Sequence, residues 1–238
     1  MNPLQQHYLQ IKKKIEHKLK ALNRSSDSLK IVAITKGRSA RAIADLIECG
    51  QIDFGENYVQ EWKVKKQALS SISPSNLRWH FVGRLQTNKV KELVGHIHLF
   101  HSIDRLSLAE KINHEAQKAK VICEGLLEID LAHESTKTGF LREELPQVLQ
   151  QLNLYSFLNI RGLMLMPPLS DDPEKSRPYF KQLKEILFDL NKQKIYKNPL
   201  IELSMGMSND YEVALEEGAT FIRIGRTLFK DFHEQSQS

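Results

Sequence analysis

The stretch LKIVAITKGRSARAIADLIECG, residues 29–50, decides the fold of this chain. It opens with a short apolar run that ends at Lys36, and it continues into a segment with helical periodicity. Ser39 is placed to cap that helix and Gly50 to end it. A continuous apolar run bounded by turns is typical of a strand buried on both faces, as in a parallel sheet. The stretch therefore predicts one strand–helix unit of an α/β fold.

The same unit recurs along the rest of the chain. Further apolar runs lie at residues 51–57, 77–83, 97–103, 121–131, 159–166, 199–205 and 219–225. Helical segments alternate with them at residues 58–70, 87–95, 105–120, 141–152, 172–193 and 209–218. One more helix, over residues 3–23, precedes the first strand.

This alternation favours a single (β/α)8 TIM barrel with an extra N-terminal helix, spanning residues 1–238 as one domain. Strands that alternate with helices predict a parallel sheet. About eight strands close a barrel whose interior side chains just fill it, and the N-terminal helix can complete the outer ring. An open doubly wound sheet is the competing architecture. No Ser-, Gly- or Pro-rich linker divides the chain, so a second domain is not expected.

The composition is that of an ordinary globular protein, with 238 residues, 41% hydrophobic and 26% charged. The net charge of +5 is spread along the chain without a basic, aromatic-interleaved block, so nucleic acid is not an expected partner. Cys49 and Cys123 form no CxxC pair and are expected to be reduced thiols. No apolar run reaches the roughly 18 residues of a membrane span, and no signal peptide is evident. A cytoplasmic location is therefore expected.

Lys36 is the first candidate for chemistry, because barrel active sites lie at the carboxyl ends of the strands. Lys36 follows the first strand directly. At a dry barrel mouth, desolvation disfavours the ammonium, and a neutral amine attacks an aldehyde to form a Schiff base. The alternative is a lysine that merely extends from the strand end to solvent. Position alone supports the two interpretations equally.

The segments after the seventh and eighth strands predict a phosphate site. SMGMSND at 204–210 offers two serine hydroxyls, a glycine that allows close backbone approach, and a helix start that Asn209 is placed to cap. RIGRTLF at 223–229 adds two arginines and a second glycine. Barrels frequently bind phosphate with these two loops. The alternative is a tight turn before an ordinary capped helix.

A phosphate site that faces a lysine on the first strand suits a phosphorylated aldehyde, of which pyridoxal 5′-phosphate (PLP) is the common biological case. A phosphosugar-type barrel enzyme without PLP is an alternative. A metal site is not expected. His96, His98 and His101 lie close in sequence, but no carboxylate or cysteine completes a zinc-ligand spacing.

Six segments resemble the PLP homeostasis protein family (YggS/PROSC type), and the resemblance extends over essentially the whole chain. They are IVAITK at 31–36, FGENYVQE at 54–61, WHFVGRLQTNK at 79–89, HSIDR at 101–105, GLMLMPP at 162–168 and LSMGMSNDYEVALEEGATFIRIGRTLF at 203–229. The resemblance implies a monomeric barrel similar to the N-terminal domain of alanine racemase.

The resemblance also implies which residues bind the cofactor. Lys36 matches the lysine that forms the Schiff base with PLP. The phosphate is assigned to Ser204, Gly206, Met207, Ser208, Gly225, Arg226 and Thr227. Residues beside the cofactor are Asn57, His80, Met164 and Arg223. Lys137 resembles a lysine on a mobile loop, and its secondary role in handling PLP is a hypothesis.

The function implied is PLP carriage or buffering in intracellular PLP homeostasis, without catalytic turnover. A racemase needs a base on each face of the substrate carbon, and no base that would partner Lys36 is evident. In alanine racemases the second base comes from a C-terminal domain, which is not expected in this chain. A PLP-dependent racemase- or decarboxylase-like enzyme is the alternative, with His80 or Lys137 as its base. Apo forms of PLP-dependent enzymes are the candidate recipients of the cofactor.

Overall fold

The structure, a computed structural model, describes residues 1–72, 74–132 and 138–229. Within these ranges, eight parallel strands follow one another round a closed barrel, and the last strand pairs with the first. The strands are β1 Lys30–Ile34, β2 Asp53–Glu56, β3 Arg78–Phe81, β4 Leu99–Ile103, β5 Cys123–Glu128, β6 Leu158–Met164, β7 Glu202–Ser204 and β8 Phe221–Ile224. The predicted (β/α)8 barrel is confirmed, and the open doubly wound sheet is excluded.

Helices surround the barrel on its outside. They are α1 Pro3–Ala21, α2 Ala40–Glu48, α3 Val59–Ala68, α4 Val90–Leu93, α5 Leu106–Ala119, α6 Leu145–Leu152, α7 Arg177–Gln193 and α8 Tyr211–Glu216. Ser39 caps α2 as predicted, because its side chain accepts a hydrogen bond from the Ala42 backbone N–H. Among the helices described, none is both long and apolar enough to cross a membrane.

The helix after β7 starts differently from the prediction. Asp210, not Asn209, stands at the N-cap of α8, so the prediction that Asn209 caps this helix is wrong. The Asn209 side chain instead donates to the carbonyl of Ser170, at 2.7 Å. Asp210 turns its carboxylate back to accept from the Met207 backbone N–H, also at 2.7 Å. The loop between β7 and α8 is therefore closed on itself before the helix begins.

The helix α1 completes the outer ring by packing between α2 and α8, as the sequence predicted. Its apolar stripe is buried and consists of Leu4, Tyr8, Ile15 and Leu19. On the other side, Lys14 and Lys18 form ion pairs with Glu212 and Glu216 of α8. The N-terminal segment is therefore part of the barrel wall and not an appendage.

Strand alternation divides the apolar side chains between two cores. Outward-facing side chains fill the space between strands and helices. An interior layer fills the barrel itself and consists of Val32, Leu99, Leu126, Met164 and Phe221. On β1, Val32 and the partly buried Ile34 belong to this interior layer. Lys36 follows Ile34 after two residues, in the same phase, so β1 presents Lys36 at the carboxyl end of the barrel, which we call the mouth.

Candidate active site at the barrel mouth

Lys36 lies on the turn that leaves β1, and its side chain is exposed. The Nζ atom lies 5.1 Å from the centroid of the Tyr58 ring, in a cation–π arrangement. The dry surroundings expected for Lys36 are therefore wrong for this structure. The physical reason is its place beyond the last residue of β1, on a turn where Gly37 takes a φ of +67°.

The backbone on both sides of Lys36 is held by side chains from α3. The carbonyl of Thr35 accepts a hydrogen bond from Lys65 Nζ, at 2.6 Å. The N–H of Gly37 donates to Glu61 Oε2, at 2.8 Å. Lys65 and Glu61 also pair with each other, at 3.0 Å. Lys36 thus combines a fixed backbone with an exposed amine.

A buried carboxylate on β2 completes this support. Glu56 is fully buried, and its Oε1 lies 2.6 Å from Lys65 Nζ and accepts from the Thr35 hydroxyl. Burial raises the pKa of Glu56, although the hydrogen bonds from Lys65 and Thr35 oppose the rise. We call Glu56, Glu61 and Lys65 the Lys36 clamp. Sequence analysis missed it, although all three residues lie in or just after the FGENYVQE segment.

The loops after β7 and β8 are tied together by Thr227. Its N–H donates to Ser208 Oγ and its hydroxyl donates to the Ser208 carbonyl, both at 3.1 Å. Gly206 takes a φ of +89°, and a Cβ there would lie 2.5 Å from the Cβ of Ala214. A Cβ on Gly225 would lie 3.2 Å from the carbonyl oxygen of Ile34 in β1. The two predicted phosphate segments therefore form one cradle beside the end of β1.

The cradle has spare donors, but not every residue predicted for it contributes one. Within the described part of the chain, the N–H groups of Gly206, Ser208, Gly225 and Arg226 donate no hydrogen bond. The Met207 N–H donates to Asp210, and both donors of Thr227 are used on Ser208. Clustered, unpaired backbone N–H groups favour an anion. Of the residues predicted to bind phosphate here, Gly206, Ser208, Gly225 and Arg226 therefore keep a spare N–H donor, whereas the N–H groups of Met207 and Thr227 are used within the protein.

Arg223 and Ser204 lie just below the mouth, inside the barrel. Arg223 Nη1 donates to Ser204 Oγ at 2.6 Å, and Arg223 Nη2 donates to the Leu165 carbonyl at 3.0 Å. Ser204 Oγ also lies 2.8 Å from His101 Nδ1. Burial lowers the pKa of Arg223 to about 10, with Glu128 opposing. Two hydrogen bonds within the protein thus hold the Arg223 side chain without any contact to a ligand.

The hydrogen bonds continue from His101 down to the barrel floor. His101 Nε2 lies 2.9 Å from His80 Nδ1, and His80 Nε2 lies 2.8 Å from Asp53 Oδ1. Arg78 donates to both oxygens of Asp53, each at 2.6 Å. Sequence analysis placed His80 beside the cofactor. The structure places it in the interior, fully buried, with both ring nitrogens used, so it offers no free base at the mouth.

Two further predicted residues border the mouth. Asn57 Oδ1 is buried and has no hydrogen-bond partner, and an unpaired buried acceptor of this kind suits a ligand that donates to it. Met164 is fully buried in the interior layer, beneath the mouth.

A cavity of about 630 Å³ opens beside Asn57, on the side of β2 and β3. The residues predicted to bind phosphate do not line this cavity. Lys137 lies outside the described residues.

Sequence analysis also missed Glu128, at the carboxyl end of β5. Its side chain is buried, and burial followed by the charge of Asp104 raises its pKa to about 7. Arg223 and Arg84 oppose the rise, and Asp130 adds to it. The signal was present in the alternation of LLEID at 126–130, which puts Glu128 in phase with the inward Leu126. Glu128 is therefore a carboxyl group poised near neutral pH at the mouth.

The three histidines considered for zinc do not converge. His101 lies inside the barrel. His98 packs edge-on against His80, with 5.4 Å between the ring centroids, and His96 packs against Trp62, at 5.8 Å. Within the described ranges, no group of three histidine, cysteine, aspartate or glutamate side chains is arranged to hold a metal ion. Each of these three histidines therefore makes a different contact, and they do not form a common site.

Comparison with known proteins agrees with the fold and shows the family. The family model for the alanine racemase N-terminal domain matches residues 12–232. A pyridoxal phosphate homeostasis protein of Aquifex aeolicus is 39% identical over 216 residues, which is 91% of this chain and 92% of the relative. The chain belongs to the pyridoxal phosphate homeostasis protein family. The family member of Escherichia coli strain K12 is 32% identical over 230 residues, covering 96% of this chain and 97% of its own.

Solved structures show the same relationship. PipY of Synechococcus elongatus, solved with PLP bound, is 34% identical with a TM-score of 0.80, covering 90% of this chain and 99% of PipY. An alanine racemase of Clostridium difficile shares the fold, with a TM-score of 0.68 at 18% identity. The likeness covers 93% of this chain but 56% of the racemase. The resemblance to the family, inferred from the sequence, is thus confirmed.

The Lys36 clamp makes a prediction about stability. We expect Lys65→Met to lower the free energy of unfolding by about 3 kcal/mol, because it leaves the buried Glu56 without its partner. Lys63→Met on the same helix is the control, since Lys63 pairs with Glu92 at the surface, and we expect about 1 kcal/mol or less. Urea denaturation measures both. Equal losses in the two variants would contradict a buried clamp.

Glu128 makes a prediction about pH. The unfolded chain ionises this carboxyl near its ordinary pKa of 4.5, whereas the folded chain keeps the proton until about 7. The wild type therefore loses stability as the pH rises through this window, and the loss is complete above 7. Glu128→Gln should remove a loss on the order of 3 kcal/mol. Denaturation across the window measures the difference between the two proteins, and a difference that is independent of pH would refute the assignment.

Proposed function

We propose that this protein binds PLP through a Schiff base on Lys36 and carries or buffers the cofactor in PLP homeostasis. The observation that carries the proposal is the Lys36 turn itself. Glu61 and Lys65 fix its backbone from both sides, its amine is exposed, and a cradle with unpaired N–H groups lies beside it. We further propose that residues 1–238 act as one monomeric domain in the cytoplasm, with apo PLP-dependent enzymes as recipients.

The residues at the mouth fit the chemistry of PLP. Lys36 supplies the amine for the aldehyde. Ser208, with the N–H groups of Gly225 and Arg226, would hold the phosphate, and the unpaired Asn57 Oδ1 would accept a hydrogen bond from the ligand. Bound PLP acts as an electron sink for amino-acid chemistry. The chain's own residues contribute two things. The clamp positions Lys36, and the backbone N–H groups of the cradle form an anion site.

Three observations support carriage over catalysis. An amine that is exposed at the mouth allows the cofactor to enter and leave, whereas catalytic sites exclude water. Of the two bases considered for an enzyme, His80 is committed inside the barrel to Asp53 and His101. The relatives that this chain matches over most of their length are named homeostasis proteins. We therefore assign carriage or buffering as the function.

Glu128 is the observation that favours the alternative, a PLP-dependent enzyme acting on amino acids. A carboxyl with a pKa of about 7 at the mouth has the properties of a general acid–base. For a carrier, we expect amino acids incubated with the PLP-loaded protein in D2O to keep their α-protons, as followed by proton NMR. Steady α-proton exchange that is lost in both Lys36→Ala and Glu128→Gln would establish the enzyme instead.

The anchor of the cofactor is tested with the purified protein and PLP. We expect the wild type to develop the visible absorption of a PLP Schiff base, and borohydride to fix the cofactor on the peptide that contains Lys36, as identified by mass spectrometry. Lys36→Ala should show neither result, because no other amine is held at that place by the clamp. Lys89→Ala, which removes a lysine from the neighbouring cavity, is the control and should behave like the wild type.

Three other outcomes would overturn parts of the proposal. If Lys36→Ala keeps the band and Lys137→Ala loses it, Lys137 is the anchor. If both variants behave like the wild type, the Schiff base lies elsewhere. If the wild type shows no band and no fixed cofactor, the chain does not bind PLP in this way, and a barrel that takes a phosphosugar becomes the better hypothesis.

A further inference from the structure

A line of buried hydrogen bonds crosses the barrel interior from mouth to floor, and we call it the interior chain. It consists of Arg223, Ser204, His101, His80, Asp53 and Arg78, and the groups come from β8, β7, β4, β3 and β2. Both ends are arginines, which can only donate hydrogen bonds. The hydrogen of every group between them can therefore be placed by elimination.

The charges inside the chain are settled by its surroundings. Burial would raise the pKa of Asp53, but the hydrogen bonds from His80 and Arg78 outweigh it and lower the pKa below its usual value. Burial lowers the pKa of His80 and lowers that of His101 still further. Asp53 is therefore ionised and accepts only, and both imidazoles are neutral with one N–H each.

These constraints leave one arrangement of hydrogens. His80 must donate from Nε2, because Asp53 cannot, so His80 Nδ1 is left as an acceptor. His101 must then donate from Nε2 to His80, which leaves its Nδ1 as an acceptor in turn. Ser204 supplies the hydrogen for that nitrogen, and its oxygen accepts from Arg223. Every hydrogen from the mouth downwards points towards Asp53.

The same arrangement defines the direction of Arg223. Its two terminal nitrogens bond to Ser204 on β7 and to the carbonyl of Leu165, just beyond β6. The guanidinium therefore reaches across β7 towards β6, away from Arg226 and the loop after β8. The hydroxyl hydrogen of Ser204 is already given to His101, so Ser204 has none left for a phosphate oxygen.

We propose that Asp53, His80, His101 and Ser204 are positioning residues that hold Arg223 towards the part of the ligand other than its phosphate. Ser204 is accordingly not a phosphate donor, although sequence analysis assigned it that role. The place of Ser208 as phosphate donor is kept, since Ser208 Oγ accepts from Thr227 and its own hydrogen is uncommitted. The statement about the ligand rests on the proposed function, whereas the direction of the hydrogens does not.

Nitrogen-15 NMR of the histidine side chains, recorded without PLP, tests the direction of the hydrogens. We expect His80 and His101 both to be neutral and to carry the proton on Nε2. His98→Gln is the control, because His98 packs against His80 without belonging to the chain, and it should leave both signals unchanged. The wild-type spectrum is enough to decide. A proton on Nδ1 of either histidine, or an imidazolium at neutral pH, overturns the assigned direction of the hydrogens.

Affinities for PLP and for pyridoxal, which lacks the phosphate, test the role of Ser204. Ser204→Ala should weaken both ligands by a similar factor of about threefold to tenfold, because it acts through Arg223. Ser208→Ala should weaken PLP and leave pyridoxal unchanged. Ser204→Thr, which restores a hydroxyl, should recover most of the affinity for both ligands.

The outcomes separate this inference from the proposed function. If Ser204→Ala weakens PLP and spares pyridoxal, Ser204 is a phosphate donor and the positioning role is wrong. If neither ligand binds the wild type, the proposed function fails, while the NMR result still decides the direction of the interior chain. If Ser204→Ala leaves both affinities unchanged, Arg223 does not need the chain.

Discussion

The order of the barrel interior depends on the hydrogen bonds that the carboxylate of Asp53 accepts at the barrel floor. An ionised group inside a barrel is tolerable only when it is paired and hydrogen-bonded, and Arg78 and His80 supply both conditions. The orientation of each group above it follows from that one acceptor. A single charge from β2 thereby orders side chains on four other strands, up to Arg223 beneath the mouth.

The mouth combines a rigid backbone with solvent exposure, whereas a buried active site is closed to solvent. The Lys36 clamp fixes the backbone through a buried ion pair, while the amine of Lys36 remains exposed. The cradle beyond it is likewise built from backbone, tied by Thr227 to Ser208. Rigid supports reduce the entropy that the protein loses when a ligand binds, and an open mouth allows the ligand to leave again. Both properties suit a protein that holds a cofactor and releases it.

Much of this could be predicted from sequence because it depends on local pattern. Apolar runs alternating with helical segments predicted the eight strands, and the position of Lys36 directly after the first of these runs predicted its place at the end of β1. What could not be predicted depends on contacts between residues far apart in the sequence and on the exposure of side chains to solvent. His101 and Ser204 are 103 residues apart in the chain and meet only when the barrel closes. The Asn209 cap was wrong because Asp210 closes the turn first, and no local pattern states how much water reaches Lys36.

The arginines at the two ends of the interior chain have an electrical consequence. A chain of hydrogen bonds conducts protons when one end can give up a hydrogen and the other can pass it on. Here the hydrogens converge on Asp53 from both sides, and any hop towards it would leave an alkoxide on Ser204 beside an arginine that does not deprotonate. The barrel interior therefore acts as an insulator. The interior chain therefore offers no route by which a proton from the barrel floor could reach the mouth.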